Sequence, residues 1–152
     1  MKKFDTSLLR LMIASAAANL KNNRKQIDDL NIFPVPDGDT GTNMSLTFDG
    51  AAQQTLAEDF TSSDKLAAKL ASAALRNARG NSGVILSQIF RGFNSAVGGK
   101  TELGAADFSA CMTAGSAKAY RAVMRPVEGT ILTVVRESSE TAAKPSPPHH
   151  ST

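Results

Sequence analysis

Pro34 and Pro36, one residue apart and followed by Gly38 and Gly41, interrupt a chain that otherwise reads with helical period. A proline ring fixes its own φ and disfavours the helical region for the residue before it, so residues 33–36 are held extended. The glycines that follow free the backbone to turn tightly. Residues 30–44 therefore form a shaped loop, Leu-Asn-Ile-Phe-Pro-Val-Pro-Asp-Gly-Asp-Thr-Gly-Thr-Asn-Met, and helices must be sought on either side.

Upstream, Leu8, Leu9, Met12, Ile13, Ala16, Ala17 and Leu20 make the stripe of an amphipathic helix over residues 6–20, capped by Asp5 or Thr6, with Asn22-Asn23 near its end. A second helix is expected over 42–54 through Met44, Leu46 and Phe48. The third begins at Ser63, carries Leu66, Leu70 and Leu75, and stops at Gly80, read as a C-terminal glycine. Arg79-Gly80-Asn81-Ser82-Gly83 opens a fourth helix that ends before Gly98-Gly99. A fifth covers 103–124 despite Gly104 and Gly115, and residues 125–129 break it before a sixth begins near Thr130. Residues 144–152 are polar and proline-rich, which predicts a disordered tail after a single domain spanning 1–143.

Composition supports an all-α chain, since alanine is abundant, aromatics make up 5% and Trp is absent. The net charge of +3 is mild and its lysines and arginines are scattered, so the electrostatic footprint of a nucleic-acid binder is missing. Cys111 is the sole cysteine, which excludes an intrachain disulfide or a cysteine metal cage and points to a reducing cytoplasm. Met1-Lys2-Lys3 before an apolar stretch has the outline of an export signal, but Asp5 and Arg10 break it. No stretch is long and apolar enough to span a membrane.

Asp37 and Asp39 are the sharpest chemical feature, because alternate carboxylates on a glycine-broken loop can converge on one hard cation. Taken alone the pair reads first as a turn cap. The continuation Thr40-Gly41-Thr42-Asn43 adds a helix start, where unpaired N–H groups and the positive end of the dipole receive anions. Asn81-Ser82-Gly83 and Glu128-Gly129-Thr130 repeat that arrangement, although each by itself also reads as a simple cap. An EF-hand is disfavoured, since a loop starting at Asp37 has Gly41 in its fifth place and Phe48 in its twelfth. A Walker loop and the Rossmann glycine fingerprint are absent.

Residues 30–44 resemble the signature of the nucleotide-binding domain shared by dihydroxyacetone kinases and fatty acid kinases, and the proline-containing form is similar to the fatty acid kinase branch. Residues 78–88 and 123–132 are similar to two further segments of that family, in the same order. The resemblance implies an antiparallel barrel of about eight helices, of which about six are present here. It implies that Asp37 and Asp39 hold magnesium against the phosphates of ATP or ADP and act catalytically through it. Thr40, Gly41, Thr42 and Asn43 would approach the phosphates, and Asn81, Ser82 and Gly83 would line the nucleotide site, with Thr130 a further candidate. It implies a partner protein that presents a fatty acid and an acyl phosphate as product. Dihydroxyacetone kinases carry a further upstream aspartate, where this chain has Asn31 and Ile32, so the third metal ligand is open. An incomplete barrel would expose apolar surface and favour a homodimer. A dihydroxyacetone-type kinase and a non-catalytic helical interaction module stand as the alternatives.

Overall fold

A computed structural model describes residues 3–31 and 38–144. Over those residues the protein is all-α, with α1 (Thr6–Asp29), α2 (Thr40–Leu56), α3 (Ser63–Asn77), α4 (Gly80–Val97), α5 (Ala105–Arg121) and α6 (Ile131–Ala143). Several starts are capped by short polar side chains. Asp5 accepts from the Leu8 N–H at 2.8 Å, Ser62 from Lys65 at 3.3 Å and Thr130 from Leu132 at 3.3 Å. Asp37 and the tail residues 145–152 lie outside the described residues.

Three boundaries differ from the sequence reading. Helix α1 runs through the Asn22-Asn23 pair, because the Asn23 amide folds back onto the Asn19 carbonyl at 2.8 Å and leaves the main-chain helix intact. Gly80 does not close α3, which ends at Asn77; it opens α4 with φ at +66°. Leu103 stays outside α5 and pairs with Phe4 through two backbone hydrogen bonds of 2.7 and 2.9 Å. Gly104 then caps α5, its N–H donating to Asp107 at 2.9 Å.

Each helix packs on the next in sequence, and α2 also reaches α4. Leu9, Ile13, Phe48, Leu66, Leu70 and Leu86 form the main core and line an apolar pocket of about 380 Å³ that is open to solvent. Small residues set how closely the helices approach. A Cβ on Gly92 would lie 2.4 Å from the Ala114 carbonyl oxygen and 2.8 Å from the Gly115 Cα, so α4 and α5 cross backbone to backbone. The outermost helices retain exposed apolar groups, with Leu11 of α1 69% and Val134 of α6 65% exposed.

The alternation of direction gives the bundle two ends. At one, Arg10 of α1 donates to the carbonyls of Leu56, the last residue of α2, and of Glu58 just beyond it, and Ser63 donates to the Phe4 carbonyl. At the other, the end of α1 meets the start of α2, which in turn meets the start of α4, and the candidate residues within 39–43 and 81–83 lie there.

Two substitutions test this packing. Gly92→Ala should cost about 1–3 kcal/mol, since the added methyl must push α4 from α5. Thr55 is fully buried and its hydroxyl lacks a hydrogen-bond partner among the described residues, so Thr55→Val should leave stability unchanged or raise it by about 1 kcal/mol. Urea unfolding midpoints at constant m-value check both.

Candidate functional site

The four N–H groups at the start of an α-helix have no intrahelical acceptor, and at α2 these belong to Asp39, Thr40, Gly41 and Thr42. Side chains at and just beyond the end of α1 engage them. The Asn31 side-chain carbonyl accepts from Asp39 and Thr40, each at 3.1 Å. Asp28 accepts from the Thr42 N–H at 2.9 Å and from the Thr42 hydroxyl at 2.6 Å, and it is hydrogen bonded by the Gly41 N–H as well. Desolvation works against the Asp28 charge. The Thr42 hydroxyl, the Thr42 and Gly41 N–H groups and the nearby Arg24 outweigh it and hold the carboxyl below its ordinary 3.8.

This contact needs a close approach of backbones. A Cβ on Gly41 would lie 2.1 Å from the Arg24 carbonyl oxygen, so any side chain there would drive α2 off α1. Gly38, at φ +71°, makes the turn that leads into α2. Asp39 follows as the N-cap residue and is exposed, and its carboxylate makes no capping bond to its own helix.

The start of α4 lies beside that of α2. Ser82 donates its hydroxyl to the Thr40 carbonyl at 3.3 Å, and a Cβ on Gly80 would lie 2.4 Å from the Asn43 amide nitrogen. Thr47 is the brace between them. Its buried hydroxyl donates to the Asn43 carbonyl at 2.7 Å and accepts from the Arg79 N–H at 3.0 Å. Gly83 packs against the same hydroxyl, where a Cβ would lie 2.4 Å away. Unlike α2, α4 has no side-chain cap: among the described residues nothing accepts from the N–H groups of Gly80, Asn81 or Ser82. The described anion-receptive start is thus that of α4, while Thr40, Gly41 and Thr42 have their N–H groups engaged by α1.

Thr130 sits apart from this pair, at the start of α6, which packs on α5. Its hydroxyl donates to the Val127 carbonyl at 2.7 Å and accepts from Leu132, the arrangement of a helix cap. Glu128 beside it is bonded by Thr133, Arg136 and Tyr120, which lower its pKa. Asp28 and Thr47 were not singled out in the sequence. Leu20 and Ile27, seven residues apart, carry the α1 stripe onward and would have extended the helix to Asp28; Thr47 falls on the core face between Met44 and Phe48.

The donor chemistry at Asp39 fits a hard cation that keeps much of its water: an exposed carboxylate on a glycine turn, next to a helix start able to receive an anion. Among the described residues no three His, Cys, Asp or Glu side chains converge, and no helix is long and apolar enough to cross a membrane.

Residues 34–151 match the family model described as the DAK2 domain, and the chain belongs to that family. Protein YloV of Bacillus subtilis is 49% identical over 131 residues, covering 86% of this chain and 24% of YloV. Uncharacterized proteins of Staphylococcus epidermidis and Staphylococcus saprophyticus are 44% and 45% identical over 140 and 143 residues, covering 92% of this chain and 25% of theirs. The chain spans about a quarter of the length of these curated relatives. The resemblance to the nucleotide-binding domain of dihydroxyacetone and fatty acid kinases thus holds at the level of the family.

The α1–α2 contact has a pH signature. Because the folded-state pKa of Asp28 is lowered, its contribution is present above its ordinary 3.8 and is lost as pH falls through the folded value. Asp28→Asn should therefore be less stable than the parent at pH 7, and the gap should close toward pH 3. Urea unfolding at the two pH values measures it; a gap that is constant with pH contradicts the assignment.

Proposed function

We propose that this member of the DAK2 family is the magnesium–ATP-binding part of a kinase that transfers the γ-phosphoryl group to a fatty acid carboxylate presented by a partner protein. The observation that supports it most is the adjacency of two unlike helix starts. That of α2 carries Asp39 and is capped from outside, and that of α4 offers three uncapped N–H groups next to it.

Each residue then has a definite task. Asp39, with Asp37, would hold magnesium, which when bound supplies charge neutralisation of the phosphates. The N–H groups of Gly80, Asn81 and Ser82 would receive phosphate oxygens with the positive end of α4 behind them. Asn43 presents its amide nitrogen beside Gly80 and would donate to the same phosphates. Thr40 and Thr42 would bear on the phosphates through the turn they anchor, since their N–H groups are already bonded to α1. Gly83 serves by having no side chain, which lets α4 rest on Thr47. Thr130 would bear on the nucleotide only as a further contact, since it caps α6 apart from the starts of α2 and α4.

Phosphoryl transfer asks little covalent chemistry of a protein: the acceptor carboxylate oxygen forms the new P–O bond as the bond to the ADP leaving oxygen breaks. Positioning and electrostatic stabilisation carry such a reaction, and no phosphorylated residue of this chain is required.

Calorimetry on the purified chain tests the nucleotide half of this reading. ATP or ADP should bind in the presence of magnesium, and Asp39→Ala should weaken that binding at least tenfold while leaving the helical circular dichroism unchanged. Absence of magnesium-dependent binding by the parent chain would sink the proposal. The acceptor is identified by supplying a fatty-acid-loaded partner or dihydroxyacetone and assaying acyl phosphate against dihydroxyacetone phosphate.

A further inference from the structure

We infer that Thr47, a buried residue of α2, is a positioning residue for the phosphate-receiving turn of α4, and that nucleotide affinity depends on its hydroxyl. The inference deepens the nucleotide reading above and rests on it. Thr47 itself touches neither nucleotide nor metal in that reading.

A threonine inside a helix can return its hydroxyl to the carbonyl one turn back, and Thr47 does so, donating to Asn43 at 2.7 Å. The oxygen keeps its lone pairs for a second bond. It accepts from the Arg79 N–H at 3.0 Å, thirty-two residues further along the chain. Arg79 is the N-cap residue of α4, so its N–H is one of the four that a helix start leaves without an acceptor. The other three belong to Gly80, Asn81 and Ser82, and among the described residues no acceptor engages them.

The same oxygen also fixes the far side of that turn. Gly83 lies against it so closely that a Cβ there would stand 2.4 Å away. One buried atom thus touches the residue before Gly80 and the residue after Ser82, with the three available N–H groups between those contacts. Gly80, at φ +66°, is the conformationally permissive residue in that interval, so the direction of the N–H groups is set by how firmly the two sides are held. Through the Asn43 carbonyl the oxygen is tied to the first turn of α2, whose Asn43 amide stands beside Gly80. Thr47 is fully buried, and solvent does not compete for its bonds.

Thr47→Val and Thr47→Ser separate the hydroxyl from the packing. Valine keeps the branched shape and offers the Arg79 N–H no acceptor, whereas serine keeps the oxygen and gives up a methyl. Binding of magnesium–ATP is measured by calorimetry well below the melting temperature of each chain, together with amide exchange at residues 79–82 by NMR. In the parent, the Arg79 amide should be protected without nucleotide, and saturating magnesium–ATP should slow exchange at Gly80, Asn81 and Ser82. Thr47→Val should lose the Arg79 protection and bind about tenfold more weakly, the size of one buried hydrogen bond. Thr47→Ser should keep that protection and stay within about twofold of the parent. Thermal melts establish that the chains are folded, and Thr47→Ala, which also lacks the hydroxyl, replaces the valine variant if that one does not fold. Parental affinity in the valine variant, or equal losses in the valine and serine variants, overturns the inference and leaves the nucleotide reading standing. A parent chain that binds magnesium–ATP without slowing exchange at residues 80–82 overturns it too, since the phosphates then lie elsewhere. A parent chain that binds no nucleotide removes the nucleotide reading and this inference together.

Discussion

The hydrogen bonds from the start of α2 to Asp28 and Asn31 hold the candidate site together. An unsatisfied helix start has four N–H groups that need acceptors, and a loop of polar residues ordinarily supplies them from nearby in sequence. Here the acceptors come from the last turn of another helix and from Asn31, two residues past its end. The end of α1 and the start of α2 are thereby locked at a fixed separation. Everything placed on that turn, Asp39 included, takes its position from α1 as much as from α2.

A second set of contacts transmits the position of α2 to α4. Thr47 reaches from the buried face of α2 to the Arg79 N–H, and Ser82 returns a bond to the Thr40 carbonyl. Such hydroxyls are short and have few rotamers, so they fix the separation of two helix ends more tightly than longer side chains would. The glycines complete the arrangement by absence: Gly41, Gly80 and Gly83 each stand where a Cβ would strike the neighbouring element. The same device joins α4 to α5 at Gly92 and Gly115, away from the site. Their common effect is a bundle whose helix ends are brought nearer than leucine-sized contacts allow.

Much of this was open to a reading of the chain alone. Helix starts at Thr6, Ser63 and Ile131 were visible because each follows a capping residue, and the end of α4 at Val97 because Gly98 follows it. What misled was local chemistry overridden by packing. Asn22-Asn23 looked like a terminus, yet Asn23 bonds within the helix and Ile27 continues the buried stripe, so α1 reaches Asp28. Gly80 looked like an end and is a beginning, because its positive φ serves the two-residue turn from α3 into α4 equally well. The Phe4–Leu103 pairing left no periodic trace, since a single bridge between distant residues has no local pattern.

The sequence by itself determined the all-α class, the six helices found among the described residues and the glycine- and hydroxyl-bearing segments that open α2 and α4. These depend on period, caps and backbone allowances that operate over a few residues. Only the tertiary structure decided which helix starts have N–H groups available and which are already satisfied. That question turns on whether an acceptor from another helix, fourteen residues away in the case of Asp28 and Thr42, comes within about 3 Å. Spacing along the chain cannot report such a contact, because it exists only once α1 and α2 have packed.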